Sequence, residues 1–190
     1  MESTSATLLE RVRDPRDAAA WRQFFGLYSP LLKNYARRYG LGASDAEEVA
    51  QECMKRLAER MGDFRYSRDR GRFKNFLRKM VNNLVANHRR RKRPRQARTG
   101  ELERLASSEM SRDAWEQVWL QEHLAYCLKA MESRYSTATV HAFRLYALQN
   151  WPVERVCERV GISANQVYLA KSRMIRRLRI EVTRFVGDVL

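Results

Sequence analysis

Apolar side chains recur every third or fourth residue along most of this chain, which is the spacing of one face of an α-helix. The segment from Phe73 to Leu84 shows the pattern most clearly, because its apolar residues form a continuous stripe while basic residues occupy the other faces. No run alternates between apolar and polar residues as a half-buried strand would. We therefore predict an all-α fold.

Proline positions suggest where the first helices begin and break. We predict a short helix over residues 5–12, followed by a longer helix that opens at the cap and first-turn pair Asp14 and Pro15. Ser29 and Pro30 should interrupt or restart that longer helix, because proline lacks the backbone donor that a helix interior uses.

Glycines end this segment, and a polar pair starts the next one. Gly40 and Gly42 terminate the longer helix, since glycine suits the left-handed turn that often follows a helix. Ser44 and Glu47 have the spacing of a capping box, which predicts a third helix running to about Met61.

Two polar segments lack a helical period. Residues 63–71 are polar and bounded by glycine, so they predict a loop before the basic helix that Pro94 stops. Residues 94–112 are rich in Arg, Ser and Glu and poor in large apolar residues, which is typical of a flexible linker. The sequence thus predicts two small helical domains, over residues 1–93 and 113–190, joined by that linker.

The predicted second domain opens with two helices. The first should carry an apolar stripe from Leu120 to Met131, and the second a stripe of Val140, Phe143 and Ala147. Both would pack with the segment that follows them to complete a small bundle.

Residues 151–178 have the spacing of a helix-turn-helix with a long second helix. Pro152 suits the start of the first helix, Gly161 suits a left-handed turn, and Ser163 can cap the second helix. Ile162 can fill the corner between them. A tight helical hairpin of any kind would share these features. A DNA-binding unit is favoured because Cys157, Gly161 and Val167 occupy its small, turn and aliphatic positions. The second helix adds a cationic outer face, made of Lys171, Arg173, Arg176 and Arg177.

The charge balance indicates a polyanionic partner. The chain has 37 Lys and Arg against 22 Asp and Glu, a formal net charge of +15, which favours nucleic acid. An acidic membrane surface is the rival, but no run approaches the roughly twenty apolar residues that span a bilayer, so we predict no membrane insertion. Residues 1–10 lack the basic start and apolar core of an export signal, and a cytoplasmic protein is expected.

The cysteines favour core packing over metal binding. Cys53, Cys127 and Cys157 are far apart and lie in apolar helical patterns, so they are expected to be reduced core residues. His123 and Cys127 are one helical turn apart and could in principle be two metal ligands, but the chain has no second pair at zinc-like spacing. We predict no metal and no cofactor.

Three segments in this order resemble a bacterial RNA polymerase sigma factor of the extracytoplasmic-function (ECF) subfamily, and the resemblance covers nearly the whole chain. The segment DAEEVAQE at residues 45–52 resembles the acidic helix that docks onto the coiled coil of the largest polymerase subunit. Residues 72–77, with Asn83 and the arginines after His88, resemble the helix that melts the promoter and reads its minus-ten element. Residues 151–178 resemble the minus-thirty-five-reading helix-turn-helix.

The resemblance implies that the acidic helix binds core RNA polymerase. An acidic patch in a cationic protein also fits a protein partner on physical grounds, although acids in a first helical turn favour the helix dipole in any case. The expected polymerase-binding residues are Asp45, Glu47, Glu48, Gln51 and Glu52.

The expected minus-ten surface combines cations with aromatic rings. Holding an unpaired strand needs phosphate neutralisation and stacking of the extruded bases, and the loop before the basic helix interleaves both residue types. Phe64 and Tyr66 of this loop could equally be core residues. Asn83 can donate and accept at a base edge. The expected minus-ten residues are Phe64, Arg65, Tyr66, Arg68, Arg70, Lys74, Arg78, Asn83, Arg89, Arg90 and Arg91.

The expected minus-thirty-five surface departs from the family at one place. Family members often have polar or basic residues just after the aliphatic residue of the recognition helix, whereas this chain has Tyr168, Leu169 and Ala170. Leu169 can be read as a packing residue. The expected minus-thirty-five residues are Ser163, Asn165, Gln166, Tyr168, Lys171, Ser172, Arg173 and Arg176.

The resemblance thus implies an initiation factor without catalysis of its own, whose partners are core RNA polymerase, promoter DNA and, in some members, an inhibitory anti-sigma protein. The alternative is a helix-turn-helix transcription regulator that acts without polymerase, usually as a dimer, which leaves the acidic helix unexplained. A nuclease or recombinase would need carboxylates gathered around a metal, and the acids here cluster within single helical segments.

Overall fold

The computed structural model describes residues 6–62, 73–92 and 109–186. Every regular element in these ranges is helical and none is a strand, which confirms the predicted all-α fold. The elements are α1 (Ala6–Arg11), α2 (Ala18–Arg38), α3 (Ala43–Met61), α4 (Phe73–Lys92), α5 (Glu109–Glu132), α6 (Thr137–Phe143), a π-helical turn (Arg144–Leu148), α7 (Val153–Val160) and α8 (Ala164–Val186). None of the described helices is both long and apolar enough to span a membrane.

Helix α2 begins later than the sequence predicted. Asp17 is its N-cap, and the Asp17 carboxylate accepts a hydrogen bond from the Ala20 N–H at 2.9 Å. Arg11 donates to the same carboxylate at 2.8 Å, and this hydrogen bond, more than any other contact, lowers the pKa of Asp17. The expected opening at Asp14 and Pro15 was therefore wrong, because Asp14 instead accepts from the Arg16 N–H in the preceding turn, at 2.8 Å.

The predicted break at Ser29 and Pro30 was also wrong, since α2 continues through both residues. Pro30 removes the hydrogen bond that would reach the Gly26 carbonyl, but Gly26 and Pro30 lie on the exposed side of the helix, where water can satisfy that carbonyl. The opposite side is anchored by buried Leu27 and Leu31. Burial of this face outweighs the lost backbone bond.

Helix α3 starts without a side-chain cap. Gly42 is its N-cap, so Ser44 already lies in the first turn and the predicted capping box with Glu47 was wrong. Gly40, with φ of +78°, makes the left-handed turn after α2 as expected.

Aromatic rings form much of the core of the first unit. The Phe24 ring lies 4.6 Å from that of Tyr28, and the Phe73 ring of α4 lies 5.3 Å from that of Tyr28. Tyr35 packs edge-on against Trp115 of α5 with ring centroids 4.8 Å apart. Trp115, at 0 % exposure, and Trp119, at 2 %, thus bring the first half of α5 into this core.

The chain divides into two compact units, and the division lies inside α5, between Glu122 and His123. Residues 113–122, which the sequence placed in the second domain, therefore pack in the first unit. Leu120 was expected on the apolar stripe but is 53 % exposed, because the buried positions of this half of the helix are Trp115, Val118 and Trp119. The predicted apolar stripe therefore lies on the wrong face in this half of α5.

The second unit is built around α6, α7 and α8. Val156 of α7 and Val167 and Ala170 of α8 are buried in one cluster, against which Cys157 and Ile162 pack. A second cluster joins Met131, Phe143 and Met174. The expected packing of α7 against α8, including Ile162 at their corner, is confirmed.

The turn between α7 and α8 has the geometry that the sequence indicated. Gly161 is left-handed, with φ of +72°, and its N–H donates to the Cys157 carbonyl at 2.8 Å. Ser163 caps α8, since its hydroxyl accepts from the Gln166 N–H at 3.3 Å. The Gln166 side chain accepts in return from the Ser163 N–H at 2.8 Å, which completes a capping box.

Gly161→Ala is expected to destabilise the second unit by about 1 to 2 kcal/mol, because a Cβ in the left-handed region is strained. Nothing lies within 4 Å of that Cβ, so backbone strain is the whole effect. Gly62→Ala is the control: Gly62 is right-handed and open, and alanine there should be neutral or stabilising. Equilibrium denaturation of both variants measures the difference, and equal stability would contradict the strain argument.

The expected core position is confirmed for Cys53 and Cys127 and only in part for Cys157. Cys53 and Cys127 are buried, and burial raises the pKa of each thiol to about 12, so neither forms a thiolate near neutral pH. Cys157 is half-buried and no cysteine is in a disulfide. His123 is 1 % exposed, as its core assignment predicted.

Candidate polymerase and nucleic-acid interfaces

The acidic residues of α3 lie on the face of the helix that points away from the core. Val49, Cys53 and Leu57 are buried, whereas the Glu48 side chain is 67 % exposed. The side chains of Glu47 and Glu52 are 42 % and 41 % exposed. Gln51 is exposed beside them. The expected polymerase-binding residues are thus available to a partner, apart from Asp45.

Asp45 turns towards α4. Its Oδ1 lies 3.4 Å from His88 Nε2, and the Asp45 side chain is only 23 % exposed. The Oε1 atom of Glu48 lies 4.0 Å from His88 Nδ1. This contact joins the acidic start of α3 to the basic end of α4. It gives Asp45 a role in fixing the two helices against each other.

The same three side chains are the group that could hold a metal ion among the described residues. One ligand atom from each of Asp45, Glu48 and His88 lies within 4.8 Å of the other two. A carboxylate pair facing an imidazole is also the geometry of an ion pair when the histidine is protonated. The absence of a bound metal stays a prediction.

Two of the α3 glutamates have cationic neighbours. Lys33 of α2 contacts Glu47 at 2.6 Å, and this hydrogen bond is the main cause that lowers the pKa of Glu47. Arg56 contacts Glu52 at 2.7 Å, one turn along α3. Because these pairs are partly exposed, they hold the side chains in place with little gain in stability.

Lys74 does not fit the minus-ten DNA contact that the sequence predicted. Its side chain is 11 % exposed and pairs with Glu116 of α5. Its ammonium also lies 5.4 Å from the centroid of the Trp119 ring. The lysine is therefore engaged inside the first unit, and the reason is the packing of α5, which spacing within α4 could not reveal.

The remaining predicted residues of α4 are better placed for DNA. Asn83 and Arg90 are exposed and seven residues apart, so they lie on one face about 10 Å apart along the helix. Arg91 is exposed, Arg78 and Arg89 are half-buried, and Arg90 donates to the Asn87 side chain. Asn83, whose amide can hydrogen-bond to a base edge, and the cation of Arg90 thus lie on one surface. The predicted contacts Phe64, Arg65, Tyr66, Arg68 and Arg70 lie outside the described residues.

Helix α8 presents an exposed stripe opposite its buried side. The stripe follows the helical period and lies across the helix from buried Val167, Ala170 and Met174. Ser163, Gln166, Lys171 and Arg173 are exposed at its flanks. The members of the stripe are Asn165, Tyr168, Leu169, Ser172 and Arg176.

Leu169 is the residue of this surface that the sequence reading missed. It is 40 % exposed and does not pack in either cluster of the second unit. The signal was its spacing of four from Asn165 and three from Ser172, which places it on the polar face. Tyr168 beside it is 49 % exposed, and its ring meets that of Tyr146 edge-on at 5.7 Å.

One comparison with known proteins bears on these surfaces. Residues 24–95 match the family model for sigma-70 region 2, a span that covers α3, α4 and most of α2. No curated protein matches the chain. The acidic face of α3 and the basic face of α4 thus both lie within the matched segment. Residues 24–95 are thus similar to sigma-70 region 2, and this similarity supports a sigma factor of the sigma-70 family.

Proposed function

We propose that this chain is a sigma factor of the extracytoplasmic-function type that binds core RNA polymerase and directs it to two-part promoters. The observation that carries the proposal is the region 2 domain over residues 24–95. The factor has no catalysis of its own and acts with the polymerase in the cytoplasm. The proposal does not require regulation by an anti-sigma protein.

The polymerase-binding surface in this proposal is the acidic face of α3. Glu48 is its most exposed acid, and Glu47 and Glu52 flank it. In a chain with a net charge of +15, this acidic face is unsuited to DNA, because it repels the phosphates. A basic protein surface complements it. Charge complementarity of this kind sets orientation and speeds association.

The minus-ten surface in this proposal is the exposed face of α4. Arg90 and Arg91 would position the duplex through its phosphates, and Asn83 would contact the edge of a base. Strand opening would be driven by binding energy, since capture of the displaced bases offsets the cost of unstacking them.

The minus-thirty-five surface in this proposal is α8, with α7 and the turn forming a helix-turn-helix. Two features support it: the left-handed turn at Gly161 and the exposed N-terminal face of α8. The amides at the start of α8 and the Ser163 hydroxyl can hold a phosphate. The side chains along the exposed stripe would enter the major groove.

Transcription in vitro with purified core polymerase and a promoter library tests the proposal. We expect the chain to bind core polymerase one to one and to select start sites downstream of a two-part sequence. A regulator of the alternative kind would instead bind duplex DNA alone as a dimer. A lack of both core binding and start-site selection would refute the sigma-factor proposal.

The salt dependence of promoter binding should separate Arg90 and Arg91 from Lys74. Replacing both arginines with alanine is expected to reduce the slope of log affinity against log salt by about two, one for each lost phosphate contact. Lys74→Ala should leave the slope unchanged, because its charge is engaged with Glu116. Filter binding of the polymerase complex over a salt series measures both slopes. Equal slopes for the arginine variant and the unaltered protein would exclude the phosphate role.

A further inference from the structure

We propose that Leu169 reads the methyl group of a thymine in the major groove and is thus a specificity-determining residue of the upstream element. The inference rests on the proposed minus-thirty-five role of α8. It assigns a function to a large apolar side chain that is 40 % exposed on an otherwise polar and cationic stripe.

The geometry of α8 places Leu169 among residues suited to base edges. Asn165 precedes it by one turn, and Ser172 follows it by three residues on the same face. All three are exposed, and the capping box at Ser163 and Gln166 fixes the start of the helix that carries them. In recognition helices, the side chains of the first turns make the contacts with base edges.

The chemistry of the major groove narrows the target to thymine. A leucine side chain can neither donate nor accept a hydrogen bond, and the C5 methyl of thymine is the apolar group that base pairs display in that groove. Asn165 is suited to the donor and acceptor pair of adenine. The four residues from Asn165 to Leu169 advance about 6 Å along the helix, or roughly two base steps. The upstream element should therefore hold an adenine and a thymine within about two base pairs of each other.

Tyr168, which precedes Leu169 in the exposed stripe, is held by an aromatic contact. Its ring meets Tyr146 edge-on at 5.7 Å, and Tyr146 packs against the buried cluster of the second unit. Lys171 lies 5.0 Å from the centroid of the Tyr146 ring. The aromatic pair thus limits the freedom of Tyr168 and keeps a cation beside the stripe. Cations on this face favour DNA over a protein as the partner that covers Leu169.

The test removes a methyl group from DNA and the leucine from the protein. The upstream element is first selected from a randomised library with unaltered protein and core polymerase. Each thymine in it is then replaced, one at a time, by deoxyuridine, which lacks only the C5 methyl. We expect about fourfold weaker binding of the complex at one thymine, the value of one buried methyl group. Leu169→Ala should abolish this sensitivity, whereas Leu169→Met should retain part of it.

Ile180→Ala is the matched control, because Ile180 is a 44 % exposed aliphatic residue farther along the same helix. It should keep the full deoxyuridine effect, and circular dichroism checks that each variant is folded. An element without thymine, or no deoxyuridine effect with unaltered protein, overturns the inference while promoter-directed transcription still supports the proposed function. Loss of core binding in Leu169→Ala also overturns it, since Leu169 would then contact protein. Absence of promoter-directed transcription by unaltered protein would instead count against the proposed function itself.

Discussion

Reversing two charges on α3, by Glu48→Lys together with Glu52→Lys, is expected to weaken binding to core RNA polymerase about a hundredfold, close to 2.7 kcal/mol. Both side chains are substantially exposed, so the change alters the surface and not the core. Lysines at these sites would face the same basic partner surface with like charge, and juxtaposed like charges cost several kcal/mol at an interface. Competition of the variant with a labelled, unaltered chain for core polymerase measures the loss.

Glu10→Lys provides a single charge-reversal control, on another helix, for this experiment. Glu10 is exposed on α1 and is not a member of the acidic face of α3, so its reversal should change core binding less than twofold. The loss in the α3 variant should also shrink as salt is added, because exposed charges are screened. If both variants bound core polymerase equally well, the acidic face of α3 would not be the docking surface.

Trp115→Ala is expected to destabilise the first unit by about 3 to 5 kcal/mol, the usual cost of removing a buried aromatic side chain. Trp115 is fully buried, 4.8 Å from the Tyr35 ring and 5.5 Å from the Trp119 ring. Since a domain is stable by only about 5 to 15 kcal/mol, this loss would leave it marginal. Hydrogen exchange followed by mass spectrometry locates the loss, because peptides from α2 and α4 should lose protection.

Leu120→Ala is the control on the same helix. Leu120 is 53 % exposed, and truncating it should change stability by less than about 0.5 kcal/mol. The comparison also tests where the first unit ends. Unchanged protection in α2 and α4 of Trp115→Ala would mean that the first half of α5 does not belong to the first unit.

Features that depend on residues close in sequence were predicted well. The left-handed Gly161, the cap at Ser163 and the burial of Val167 each follow from spacing within one turn or one helix. The errors at Asp14 and Ser44 were displacements of a helix start, because several polar residues near each start could serve as the cap.

Features that depend on packing between distant segments were not predicted. Pro30 stays helical because its face of α2 is exposed while the opposite face is buried. The residues next to Pro30 in the sequence do not reveal this burial. Lys74 was assigned to DNA from its place on a basic helix, and only the position of α5 shows that it pairs with Glu116. Leu169 is apolar and could be read as a packing residue, although its helical phase places it on the exposed face. The roles of the exposed α3, α4 and α8 residues stay predictions.

The pairing of Lys74 with Glu116 means that the count of 37 Lys and Arg residues overstates the number of free cations that an approaching duplex meets. Cations matched by acids within a unit attract little at long range, whereas the exposed arginines near the end of α4 and along α8 attract DNA to an extent that salt reduces. The number of counterions displaced from DNA therefore depends on where the arginines lie on the surface. The total number of basic residues is a poor guide to that number.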